Sequence, residues 1–350
     1  MKNKYLFYIG HPAHWHNFNH LAQRLTKRGH RVLFVIRQKD VMSDLIQSSD
    51  LNLVILENTK KTSSVVSLFK SILKRYIEMY SIIKSLKPTL LVGTDFILPQ
   101  LGRLLNINSI VINEDDIKAV PIFSLLAYPF ATKLLTPRVC NVGIWKYKQI
   151  VYNGYQELAY LSSNVFKPNL RTVKKYFSTK NKYFIIRFSS LDAHHDYGKK
   201  GISNELASKI IGILKNYGDI YITSERKLPP NLEKYRIKID PNDMHHILSY
   251  AHIFIGDSQT MAAEAAILGT PSIRFSSFTN KLGYLIELQS KYLLTIGINS
   301  DNPDRLIETI KRMVKIKNIK DLWFIRSKIM TDDKINVQNF FYEFFLKYRN

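Results

Sequence analysis

Cysteine is almost absent from this 350-residue chain: Cys140 stands alone. A single thiol forms no internal disulfide, so the fold must rest on its core, and such usage fits a reducing compartment. Long apolar runs are also missing. No stretch approaches the roughly 18–20 uncharged residues of a membrane span. The opening run Tyr5-Leu6-Phe7-Tyr8-Ile9-Gly10 is too short for a secretory h-region and reads as a first strand. The expectation is a soluble, cytoplasmic protein. Internal repeats and low-complexity tracts are lacking. So are helix-turn-helix, zinc-finger and RNA-binding signatures, which argues against a nucleic-acid partner.

Acidic residues are the other shortage. Lys and Arg number 51 against 28 Asp and Glu, a net charge of +23. The excess is spread evenly, with 21 bases and 10 acids in residues 1–165 and 30 and 18 in residues 166–350, so no basic tail explains it. Such a balance implies an anionic partner, whether nucleic acid, anionic lipid or phosphorylated substrate. A lysine-rich genome would also produce part of it. The remaining composition, 45% hydrophobic and 23% charged, is that of a globular chain and excludes a disordered or collagen-like one.

At roughly 150 residues per domain the length suggests two domains. Short β-branched runs alternate with helical stretches throughout. Strands are expected at 5–10, 31–37, 53–57, 89–94, 110–113 and 133–136, with helices at 16–28, 41–48, 64–86 and 98–105. The second half repeats the plan, with strands at 183–188, 220–223, 253–256, 272–275 and 292–296 and helices at 206–215, 244–250, 260–268, 281–288 and 303–315. The strands are continuous apolar runs rather than alternating ones, as in strands covered on both faces. The fold class is therefore α/β, with two Rossmann-like doubly wound domains facing one another across a cleft. Residues 1–160 form the first domain, 161–181 a hinge, and 182–330 the second domain. A terminal segment, 331–350, carries an aromatic stripe at Phe340, Phe341, Phe344 and Phe345.

In an open parallel sheet, ligands bind beyond the carboxyl ends of the strands. Residues of chemical interest should therefore follow the strands directly. After the first strand comes Gly10-His11-Pro12-Ala13-His14-Trp15-His16, in which His14 and His16 are candidate general bases. Without a thiol or carboxylate beside them, the histidines make a poor zinc site. Asp95 follows the fourth strand and Glu114 the fifth. They are candidate proton-transfer groups, although Asp95 could instead cap the next helix. After the first strand of the second half, Arg187, Ser189, His194 and His195 are donors suited to a diphosphate. The most specific segment is Ile253-Phe254-Ile255-Gly256-Asp257-Ser258-Gln259-Thr260-Met261-Ala262-Ala263-Glu264, continuing to Gly269-Thr270-Pro271 and Arg274. It is a strand, a polar turn, and a small-residue helix whose N-terminus is built for phosphate. Glu264 lies about one turn beyond Thr260 on the same face.

That segment resembles the nucleotide-binding signature of GT-B sugar-nucleotide enzymes. These include the non-hydrolysing UDP-N-acetylglucosamine 2-epimerases and the transferase that makes the lipid-linked peptidoglycan disaccharide. Asp257, Ser258 and Glu264 match an Asp-Ser-Gly-Gly turn and the following glutamate, while Gln259 and Thr260 stand where that turn has two glycines. The opening His-Pro-Ala-His and the segment Ala193-His194-His195-Asp196 look closer to a little-characterised GT-B-like family linked to surface-polysaccharide loci. The resemblance implies that Asp257, Ser258, Gln259, Thr260, Glu264 and Arg274 hold a nucleotide sugar, with Glu264 on the ribose. It also implies a first domain that presents a glycan or lipid-linked acceptor, and a terminal helix packed on that domain. The reaction expected is metal-independent transfer from a nucleotide-diphosphate sugar, a UDP-sugar, with no further cofactor. The alternative is a UDP-sugar 2-epimerase. A basic helix at 60–87, with an apolar stripe through Leu68, Phe69, Ile72, Tyr76, Met79 and Ile83, adds an expected contact with anionic membrane.

Overall fold

The computed structural model describes residues 2–37, 42, 45, 46, 51–56, 65–189, 201–277, 279 and 281–348. The chain divides into two units, one of residues 1–160 with 335–350 and the other of residues 161–334. The first unit holds seven parallel strands: β1 (Lys4–Ile9), β2 (Arg31–Arg37), β3 (Asn52–Leu56), β4 (Leu90–Gly93), β5 (Ser109–Ile112), β6 (Lys133–Pro137) and β7 (Gln149–Tyr152). Their order is β3-β2-β1-β4-β5-β6-β7, so the direction of winding reverses between β1 and β4. Around them lie α1 (Pro12–Lys27), α2 (Val65–Leu86), α3 (Ile97–Leu104) and α4 (Pro121–Ala127). Tyr5–Ile9, Leu90–Gly93 and Ser109–Ile112 are buried throughout. That is the pattern of strands covered by helices on both faces.

The second unit holds five parallel strands: β8 (Tyr183–Phe188), β9 (Asp219–Ser224), β10 (Ile253–Gly256), β11 (Ser272–Phe275) and β12 (Thr295–Ile298). The order β12-β11-β10-β8-β9 reverses between β8 and β10. Its longer helices are α5 (Asn204–Leu214), α6 (Met244–Tyr250), α7 (Gln259–Ile267), α8 (Gly283–Ser290), α9 (Pro303–Met313) and α10 (Ile319–Asp332). α7 is buried nearly all round because its alanines present no bulk on any side. It stops at Gly269, whose φ of +74° favours glycine. A β-carbon there would also lie 3.1 Å from the Cα of Phe324 on α10.

The last helix, α11 (Val337–Lys347), belongs to the first unit. Val337, Phe341, Tyr342 and Phe345 are its buried positions. Phe345 meets the rings of Tyr5 and Phe7 at 6.3 and 5.7 Å, and its carbonyl accepts from the Tyr5 hydroxyl at 2.8 Å. Arg24 of α1 stacks over Tyr342 at 3.6 Å.

Several elements depart from the sequence reading. The stretch expected as a hinge, 161–181, contributes to the second core: Val173 is buried there, with Tyr176 and Phe177 packed beside it. The strand β7 and the helices α4 and α10 were not expected. The helix expected at 41–48 lies almost wholly outside the described residues. In α2 the apolar stripe divides along its length. Met79 and Ile83 are buried in the core, whereas Phe69 is 68% exposed and Leu68 is also exposed. No helix among the described residues is long and apolar enough to cross a membrane.

Candidate functional site

In the second unit, β8 and β10 are the neighbours at which the sheet reverses, the place where a crevice opens beyond the carboxyl ends. They run so close that Gly256, which ends β10, has no room for a side chain. A β-carbon there would lie 3.0 Å from Arg187 Cβ and 3.1 Å from the Arg187 carbonyl oxygen. Asp257 follows, 7% exposed. Its Oδ1 accepts from the Ser189 N–H at 2.6 Å and its Oδ2 from the Ile202 N–H at 3.4 Å. Arg226 holds Ile202 from the other side, donating to its carbonyl at 2.5 Å, and lies over the Phe188 ring at 4.7 Å. Burial pushes the Asp257 carboxyl above its ordinary range, and the hydrogen bonds from Ser189 and Ile202 oppose that shift. Asp257 therefore anchors both ends of the segment between them. His194 and His195, in that segment, lie outside the described residues.

Ser258 caps α7: its hydroxyl accepts from the Met261 N–H at 3.3 Å. The amides of Gln259 and Thr260 have no partner among the described residues and are the open donors of the first turn. Ser258, Gln259 and Thr260 are all partly exposed. Gln259 is held at both ends of its amide, donating to the Asp257 carbonyl at 3.3 Å and accepting from Arg274 Nη1 at 2.9 Å. Arg274 is 0% exposed. Its other nitrogen donates to Gln289 Oε1 at 3.2 Å and the Thr279 carbonyl at 3.5 Å. Desolvation pulls its pKa down to about 10, and it makes no ion pair among the described residues. A guanidinium held only by neutral oxygens leaves net positive potential at the start of a helix, which itself favours anions. Arg274 thus lies buried beneath the turn and is bonded to it through Gln259.

Arg187 is paired with Glu225 at the end of β8. Glu264 is buried, with Oε1 3.2 Å from Nε2 of His245 on α6. That imidazole is the partner a buried carboxylate requires.

The carboxyl edge of the first unit gathers a different set. The Nδ1 of His11 accepts from the Ala13 N–H at 3.2 Å and caps α1. His14 and His16 are partly exposed in its first turns, and His16 stacks on Tyr160 with ring centroids 5.4 Å apart. Asn17, buried, donates to Gln156 Oε1 at 3.0 Å, and the Gln156 N–H donates to Glu114 Oε2 at 3.3 Å. The start of α1, the end of β5 and the segment after β7 therefore meet. Glu157 lies buried in that segment. With Glu114, it adds to the burial that pushes the Tyr152 hydroxyl far above its ordinary value. Gln156 and Glu157 were missed by the sequence reading because β7 was. Asp95 is employed elsewhere. It accepts from the Ile97 and Leu98 N–H groups at 2.7 and 3.3 Å and pairs with Arg75 at 3.4 Å. Its arrangement is that of a helix cap. Burial raises its carboxyl, and the Arg75 charge pulls the other way.

Two parallel α/β units, each reversing its winding at the strands that carry these residues, have the fold of the GT-B class. The chain belongs to the family described as protein of unknown function DUF354, which it matches over residues 6–337. No curated protein sequence matches it. Similar solved structures include the UDP-GlcNAc 2-epimerase of Methanocaldococcus jannaschii, at 16% identity and a TM-score of 0.61, covering 94% of this chain and 99% of that one. The UDP-GlcNAc 2-epimerase of Neisseria meningitidis bound to UDP-GlcNAc is similar at 16% identity and a TM-score of 0.56, with the same coverage. The calicheamicin glycosyltransferase CalG4 is similar at 10% identity and 0.60, covering all of both chains.

The clamp at Asp257 generates a prediction. Asp257→Ala leaves the Ser189 and Ile202 amides without their acceptor. It should cost about 1–3 kcal/mol, lower the thermal midpoint, and speed hydrogen exchange at Ile202. An unchanged midpoint with unchanged exchange would show that the clamp does not hold these loops.

Proposed function

We propose that the protein is a GT-B-type glycosyltransferase that takes a sugar from a nucleotide-diphosphate donor, a UDP-sugar, and passes it to a glycan or lipid-linked acceptor. The observation that carries this reading is the first turn of α7: amides at Gln259 and Thr260 without a partner among the described residues, set over the buried Arg274, which makes no ion pair among them. A diphosphate is the ligand that such a turn favours, and its negative charge grows as the glycosidic bond breaks. Fixed donors and a guanidinium beneath them stabilise that charge without reorganising, which lowers the barrier to leaving-group departure. Arg187 and Ser189, across the close approach at Gly256, flank the same turn. Glu264, oriented by His245, accepts from the donor ribose. In the first unit His14 and His16 are the candidate bases toward an acceptor hydroxyl, with Glu114 beside them in the cluster that includes Gln156. No metal takes part in this scheme.

A second reading, UDP-sugar 2-epimerase, draws on the acids of the first unit, Glu114 and Glu157. Against it stands Asp95, which the epimerase reading requires as a proton-transfer group. Its Oδ1 is engaged by two backbone amides and its charge by Arg75. Incubation with UDP-sugars separates the readings. A transferase leaves the donor's sugar configuration intact and releases UDP faster when a lipid-linked acceptor is added. Formation of the 2-epimer without acceptor would overturn the transferase reading.

The acceptor side of the proposal includes a membrane. The outward face of α2 carries Val66, Phe69, Leu73 and Ile77, of which Phe69 and Ile77 are 68% and 63% exposed. Lys70, Lys74 and Lys84 lie exposed along the same helix, while Arg75 turns inward to Asp95. Apolar side chains fringed by lysines suit the surface of an anionic bilayer. We expect reversible docking at the inner face of the plasma membrane, at roughly 1 kcal/mol per base. Sedimentation with vesicles should show binding to anionic but not neutral lipid, lost in high salt and on replacing Lys70, Lys74 and Lys84 with Ala. Equal binding to both kinds of vesicle would contradict it.

A further inference from the structure

At the opposite edge of the second sheet, where β8 and β10 begin, a cavity of about 320 Å³ opens to solvent. That volume falls within the range of small-molecule sites. Tyr183 at the start of β8, Tyr250 at the end of α6, and His252 just before β10 form part of its wall, and the first turn of α10 forms another. None of these residues belongs to the turn at α7.

Three features of the lining point to an anion. His252 is 7% exposed and lies edge-on to the Phe184 ring at 5.6 Å, yet its imidazole nitrogens have no hydrogen-bond partner among the described residues. Both nitrogens are therefore left for water or a ligand in the cavity to meet. The second feature is the end of α10, a helix of 14 residues. Asn318 makes no side-chain cap bond, and the amides of Lys320 and Asp321, which line the cavity, have no partner among the described residues. The third is the gathering of positive charge. The Lys320 ammonium donates to the Ser249 carbonyl at 2.9 Å and to Thr270 Oγ1 at 2.8 Å, which leaves one of its three hydrogens. Burial pulls Lys320 down to about 7. Burial first, then the charges of Lys182 and Lys320, pull His252 down to about 4. Lys317 stands exposed beside them, and Asp321, also exposed, is the one carboxylate of the lining.

We propose that this cavity is a second ligand site, separate from the α7 turn, which binds a phosphate group through His252, Lys182, Lys320 and the open amides of α10. The group is either free phosphate or the phosphomonoester of a small molecule whose apolar part rests against Tyr183 and Tyr250. The neutral imidazole donates its ring N–H, the helix end supplies further donors, and the lysines supply the charge.

The test is titration of the full chain with inorganic phosphate and, separately, with phenyl phosphate, read from the imidazole resonances of His252 and the thermal midpoint. Both probes should shift His252 saturably. Tighter binding of phenyl phosphate assigns the site to a monoester, and equal binding assigns it to free phosphate. His252→Gln and Lys182→Ala should each weaken binding about tenfold, the scale of one charge-assisted hydrogen bond. Lys182 is exposed, so its variant keeps the fold intact. Ser258→Ala, at the other edge, should leave this affinity unchanged. A His252 resonance that stays still at millimolar phosphate would overturn the proposal. So would affinity that survives both variants or disappears with Ser258→Ala.

Discussion

The close approach of β8 and β10 at their carboxyl ends sets the geometry of the second unit. Gly256 lies so near Arg187 that only a hydrogen fits where a side chain would be. Because the strands meet there, Asp257 reaches the Ser189 amide at 2.6 Å, and the loop after β8 is tied to the turn after β10. The same step aims the axis of α7, whose alanines let it lie deep in the unit. Widening that gap by one methyl group would move the loop, the cap and the helix together.

A buried charge is the energetic cost of this arrangement. Arg274 is drawn out of water and faces amide and carbonyl oxygens rather than a carboxylate. Desolvation of a cation held only by neutral groups opposes folding, and a nearby anion offsets it. The protein keeps that positive potential under the first turn of α7. Two buried acids are matched: Glu264 by His245, and Asp95 by Arg75 and two amides.

Much of this was legible in the sequence, for physical reasons. Strands buried on both faces leave continuous apolar runs, so Ile253–Gly256 and Ser272–Phe275 stand out. The edge strand β7 does not, because only Ile150 and Val151 are aliphatic and Val151 is exposed. With β7 unseen, Gln156 and Glu157 could not be placed beside Glu114. The helix α10 carries apolar residues all round, among them Phe324, Ile325 and Ile329 on its exposed side, and so shows no single face. Phe69 has the right period to pack but sits toward the end of α2 that reaches beyond the core. Acids after strands were visible as candidates. Whether such an acid serves a ligand or a backbone amide depends on neighbours distant in sequence: Ile202 lies 55 residues before Asp257.

The central claim is that the first turn of α7 receives the diphosphate of a nucleotide. Hydrogen exchange of the full chain, with and without saturating UDP, addresses it at the level of single amides. Slowed exchange at Gln259, Thr260 and Met261, together with Ser189, is the predicted result. Protection confined to the first unit, or to the start of α10, or no protection at saturation, would contradict the account.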